Sequence, residues 1–117
     1  VATVGQPVET SRVLRNSRRT SEITHVGRDC VEALLANPSL ERLFELSCRF
    51  AAETGLLSDR IAAVLDAVEP YGMASMCMLG NAVFAMGDTE ALIDTLSRYG
   101  HVWTCEIDQR GARLLEG

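Results

Sequence analysis

The stretch "EPYGMASMCMLGNAVFAMGDTE", residues 69–90, decides how this chain folds. It holds every methionine of the chain, Met73, Met76, Met78 and Met86, together with Cys77, Gly72, Gly80 and Gly87. "NAVFAM" reads as a buried strand, and "MASMCML" as its neighbour or a short helix, with methionine filling irregular gaps in a core. A second reading has Met and Cys bind a soft metal. On a strand, however, Cys77 points away from Met76 and Met78, and no histidine lies nearby in the sequence. A third reading makes the run a backbone turn that approaches a ligand. Gly72, Ala74, Ser75, Gly80 and Asn81 are small or turn-forming, and such residues let backbone N–H groups come close to an anion.

Outward from this stretch, Pro70 closes a helix expected from Ser58 or Asp59 to Val68, with Ile61, Val64, Leu65 and Val68 inward. Before it, a helix with Asn37 as cap and Pro38 at its first position is expected to end at Gly55. Its inward stripe is Leu40, Leu43, Phe44, Ser47, Phe50 and Ala51. An earlier helix is expected over residues 20–36, with Ile23, Val26, Cys30, Leu34 and Leu35 on one face. "VATVG" at the start is a short strand, and "ETSRVL" begins a helical turn capped by Thr10 or Ser11. After the central stretch, Asp88 caps a helix that carries Leu92, Ile93 and Leu96 inward and closes at Gly100. "HVWTCEI" alternates like a strand, "DQRG" turns, and "ARLLE" returns as its hairpin partner. Strands and helices mix without strict βαβ repetition. The class is α+β: a small antiparallel sheet with helices packed on one face.

The chain has 117 residues, 47% of them apolar and 23% charged, which is one globular domain's worth. Its net charge of -5 and pI near 4.9 argue against nucleic acid or an anionic membrane as partner. All eleven basic residues are arginine, so no lysine can bind phosphate or form a Schiff base. A GC-rich genome or a salt-loving source would each account for that composition. Cys30, Cys48, Cys77 and Cys105 show neither a C-x-x-C pair nor zinc-finger spacing to His25 or His101, and they read as free thiols in a reducing compartment. No apolar run is long enough to span a membrane, and the start shows no signal-peptide pattern. Opening on Val1, the chain is expected to be a piece of a longer protein.

"GMASMCMLGNAVFA" resembles the third motif of the archaeal pantoate kinases, a branch of the GHMP small-molecule kinases, which read close to "ASMAMLG" followed by a polar residue and "TVFA". "GQPVETSRVL" is similar to that family's "GPI-x-T" segment. "ITHVGRDCVEALLANPSLERLFELSCRFAAETGLL" resembles the helical pair that follows, and "GARLL" the closing strand.

The resemblance implies a ferredoxin-like C-terminal domain on the substrate side of a cytoplasmic, ATP-dependent kinase that phosphorylates pantoate for coenzyme A biosynthesis. It implies one domain over residues 1–117, with the ATP-binding N-terminal half lying outside this chain. ATP and Mg²⁺ would be held mainly by that half, because the phosphate loop is absent here. The implied partners are pantoate, the N-terminal kinase domain and a second copy in a homodimer. The implied substrate-binding residues are Ser75, Met76, Met78, Gly80 and Asn81, with no catalytic residue and no metal ligand in this half. The isolated chain is then expected to be inactive. The alternative is a stand-alone ligand-binding or dimerisation module, since ferredoxin-like domains often serve without catalysis.

Overall fold

The computed structural model describes residues 1–5, 12–13, 15–78 and 80–115. In chain order it runs β1 (Ala2–Thr3), α1 (Ser17–Ala36), α2 (Leu40–Glu53), α3 (Asp59–Val68), a 3-10 turn (Glu69–Tyr71), β2 (Gly72–Cys77), β3 (Ala82–Gly87), α4 (Thr89–Ser97) and β4 (His101–Val102). The strands form one antiparallel sheet in the order β2-β3-β1-β4. The first strand in sequence thus lies inside the sheet, flanked by β3 and β4. This is the split arrangement of the ferredoxin-like fold, and the α+β class expected from the sequence holds.

Residues 69–90 build the sheet's frame. All six residues of β2 pair with all six of β3, from Gly72 opposite Gly87 to Cys77 opposite Ala82. Side chains alternate between faces. One phase carries Ala74, Met76, Val83 and Ala85, joined by Ala2 and Val4, and meets Ile61, Val64 and Val68 of α3 and Leu92 and Leu96 of α4. Burying each large aliphatic side chain there contributes about 1.5–3 kcal/mol. The other phase carries Ser75 and Phe84, and these two meet α2. The Phe44 and Phe84 rings lie 5.2 Å apart, and the Ser47 and Ser75 hydroxyls are hydrogen bonded. Helices α3 and α4 therefore make the principal layer, while α2 grips β2 and β3 through their alternate positions.

Local signals set most helix ends. Ser58 accepts from the Ile61 N–H and Asp88 from the Ala91 N–H, as N-caps do. Helix α2 begins later than expected. Ser39, not Asn37, is its cap, accepting from Arg42 N at 3.0 Å, and Pro38 stays outside the helix. Both residues are good caps, but the proline forces Asn37 toward extended backbone, and the next capping side chain takes over. Helix α1 begins earlier than expected because the Asn16 side chain captures Arg19 N at 3.1 Å. Arg19 also donates to the Thr54 and Gly55 carbonyls, 3.4 Å each, and fastens α1 to the end of α2.

Three leucines expected inside are exposed: Leu35 at 74%, with Leu40 and Leu43. Leu46, which lay off the expected stripe, is buried instead. The expected terminal hairpin is not formed among the described residues. Asp108 does organise the turn, accepting from the Gly111 N–H and pairing with Arg113 at 2.9 Å. Yet β4 stops at Val102, and Leu114 and Leu115 lie in solvent. Alternation makes a strand only where a neighbouring backbone supplies hydrogen bonds, and past Trp103 this chain supplies none among its described residues. The helical turn expected at "ETSRVL", with its Thr10 or Ser11 cap, lies almost wholly outside the described residues.

Candidate functional site

The five residues singled out in the sequence divide into two groups. Ser75 and Met76 sit on β2, fully buried, and face opposite sides of the sheet. Met76 packs in the core beside Val83. The Ser75 hydroxyl lies 2.7 Å from the Ser47 hydroxyl, which satisfies a polar group that burial would otherwise penalise. Met78, Gly80 and Asn81 form the turn between β2 and β3. Met78 is 39% exposed, and Gly80 and Asn81 are half-buried. The bend is therefore open to solvent, while the strand leading into it is sealed. Burial pushes the Cys77 thiol, at the mouth of the turn, above the ordinary thiol range.

The turn has a neighbour that the sequence did not announce. Val4 N donates to the Asn81 carbonyl at 2.8 Å. A side chain at Gly5 would come within 2.9 Å of Asn81 Cβ, so the bare backbone of Gly5 lies directly against Asn81. The end of β1, where "GQPVET" begins, and the turn "MLGN" thus converge at one end of the sheet. Gly5, placed immediately after an apolar run, marks the end of β1 in the sequence but not its neighbour. Arg60, at the start of α3, fixes the same corner. Its Nε donates to the Val4 carbonyl, its terminal nitrogen reaches the Tyr99 carbonyl at 3.0 Å, and its guanidinium stands 5.9 Å from the centre of the Tyr99 ring.

Two apolar grooves lie elsewhere, and neither is lined by any of those five residues. The first, about 510 Å³, runs between α2, α3 and the β2 edge, with Glu41, Glu45, Asp66 and Glu69 along it. Four carboxylates repel an anionic ligand, so this groove is electrostatically wrong for a carboxylic acid or a phosphate. The second, about 460 Å³, lies between Phe84–Gly87 and Trp103–Ile107. No helix among the described residues is long and apolar enough to cross a membrane.

A pantoate kinase from Methanocaldococcus jannaschii is 34% identical to this chain over 99 residues, covering 85% of the chain and 37% of that protein. A pantoate kinase from Methanospirillum hungatei is 32% identical over 112 residues, covering 95% of the chain and 36% of that protein. The chain spans little more than a third of the length of these curated relatives. No protein-family model matches it, and no solved structure is significantly similar.

Proposed function

The chain is a homologue of the C-terminal portion of the pantoate kinases, members of the GHMP kinase family, and from that premise we propose that it is the acceptor-side half of an ATP-dependent, cytoplasmic pantoate kinase. The observation that supports this reading is the convergence of Gly5 and Asn81. It joins, in space, two segments that resemble the family far apart in sequence.

In this reading the turn Met78–Asn81 walls the acceptor pocket. Met78 offers an apolar surface to a branched aliphatic acid, while Gly80 and Asn81 set the path of the backbone. Ser75 and Met76 act one layer behind, as the rigid strand that carries the turn. Phosphoryl transfer is largely positioning plus neutralisation of charge on the transferring group. This half is suited to the first task. For the second it offers no lysine as a phosphate-binding point charge. ATP and Mg²⁺ are assigned in this reading to the other half of the enzyme, without which the 117 residues are expected not to turn over.

The test is made in the whole kinase. Asn81→Ala is expected to raise KM for pantoate several-fold with little change in KM for ATP, the folded fraction being checked alongside. Unchanged kinetics for Asn81→Ala and for Met78→Ala together would remove the turn from the pocket. Tight ATP binding by the 117-residue chain alone would overturn the division of labour.

A further inference from the structure

The first groove is lined only by residues between Glu41 and Ala74, far in sequence from both ends of the chain. Its two walls carry the same charge. Glu41 and Glu45 stand on α2, Asp66 and Glu69 at the end of α3, and all four are exposed. Leu57, Leu65 and Met73 supply apolar surface beside them. No arginine lines the groove. Among the described residues, Glu45 pairs with Arg42 at 3.3 Å, and no ion pair engages Glu41, Asp66 or Glu69. The opposite charge is concentrated elsewhere in the same chain. "SRVLRNSRR", residues 11–19, holds four of the eleven arginines and no acidic residue. Arg19 is committed to the Thr54 and Gly55 carbonyls, which holds the start of α1 beside the short loop leading to Leu57. Arg15 and Arg18 are exposed. Arg18 leaves 89% of its side chain in solvent, with Glu22 of its own helix at 3.8 Å.

We propose that the groove receives the start of α1, through Arg15 and Arg18, from a second copy of this chain, and that two copies exchange this contact about a twofold axis. Charge selects the occupant. Two such grooves set face to face would bring eight carboxylates together, so the β2 edges do not pair directly, whereas a cationic segment is attracted to both walls at once. Arginine also suits the mixed lining. Its aliphatic stem covers apolar surface, and its planar fork meets carboxylates two bonds at a time. An isolated exposed ion pair contributes little, so the contact depends on burying stems and forks together. Arg19 places the giving surface next to the receiving one, so each copy gives and receives at the same corner and the pair closes on itself. Nothing in this inference involves ATP or pantoate, and it stands apart from the kinase reading.

The test is sedimentation equilibrium of the 117-residue chain and two charge-reversed variants, with thermal melts to confirm folding. One variant carries Arg15→Glu with Arg18→Glu, the other Glu45→Arg with Asp66→Arg; all four positions are exposed, so the fold is expected to persist. The parent is expected to dimerise, and raising the salt from about 0.05 M to about 0.5 M to weaken the dimer by about tenfold or more. Each variant alone sets like charges against each other and is expected to be monomeric. Mixed in equal amounts they are expected to form a heterodimer, because each arm then meets a groove of opposite sign. The milder pair, Arg15→Gln with Arg18→Gln, removes charge without reversing it and is expected to weaken the dimer by about tenfold. A parent that stays monomeric at low salt would overturn the proposal. So would a dimer that survives either reversal, or two monomeric variants that fail to associate when mixed.

Discussion

The Ser47 hydroxyl oxygen lies 2.7 Å from that of Ser75 and ties helix α2 to strand β2 through the buried face opposite Met76. Either oxygen can donate, and beside it the Cys48 thiol of α2 donates to the Ala74 carbonyl of β2 at 3.2 Å.

Replacing one member strands the other. Ser75→Ala is expected to cost about 1–3 kcal/mol, because the Ser47 hydroxyl loses its partner inside the protein. The double variant, Ser47→Ala with Ser75→Ala, is expected to cost less than the sum of the two single changes. Urea titrations of the four proteins check this, and strict additivity would show that the bond contributes nothing of its own.

Gly100 is fixed by close approach. A Cβ there would stand 1.7 Å from the Thr3 carbonyl oxygen, which is backbone and has nowhere to go. Gly100→Ala is expected to part β1 from the end of α4 and to destabilise by more than about 2 kcal/mol. A thermal melt unchanged from the parent would refute the packing described for this corner.

Arg60 reaches the same corner from α3, bonding the Val4 and Tyr99 carbonyls. Arg60→Met keeps much of the aliphatic stem but removes the donors, and is expected to cost about 1–3 kcal/mol. In the whole kinase it is also expected to loosen the Gly5–Asn81 junction and raise KM for the acceptor. Normal stability with a raised KM would place Arg60 at the substrate itself instead.

Cys77 gives a pH signature. Burial raises its thiol in the folded state, so its stabilising share is complete below the unfolded thiol's pKa. That share is lost as pH climbs through the folded value. Stability is therefore expected to fall more steeply in the alkaline range for the parent than for Cys77→Ala. Cys105, exposed on the tail, is expected to react first with a thiol reagent at neutral pH, ahead of Cys77 and the buried Cys30. Mass mapping of the modified cysteines decides the order.

How much of this was legible depends on how local the deciding interaction is. Helices α3 and α4 follow from a single side chain reaching a backbone N–H three residues on, and Ser58 and Asp88 are visible as such in the sequence. The pairing of β2 with β3 was legible because two apolar runs flank a short glycine-containing turn. The choice between Leu43 and Leu46 was not, since both lie near the apolar stripe and only the placement of α2 against β2 decides between them. The tail misled for a related reason: "HVWTCEI" has a strand's alternation, but pairing is a property of two segments. At the candidate site, the turn was legible from its composition. The junction with Gly5 was not, because it depends on β1 lying beside β3, a topological fact that no local pattern encodes.

The strand order also governs when this chain can fold. The Ala2–Thr3 segment needs both Ala82–Val83 and His101–Val102 as its neighbours. During synthesis it waits, unpaired, until residues 82–102 have left the ribosome. Closing such long loops before any reward arrives slows folding, and an interrupted or truncated product would leave an adhesive edge for aggregation.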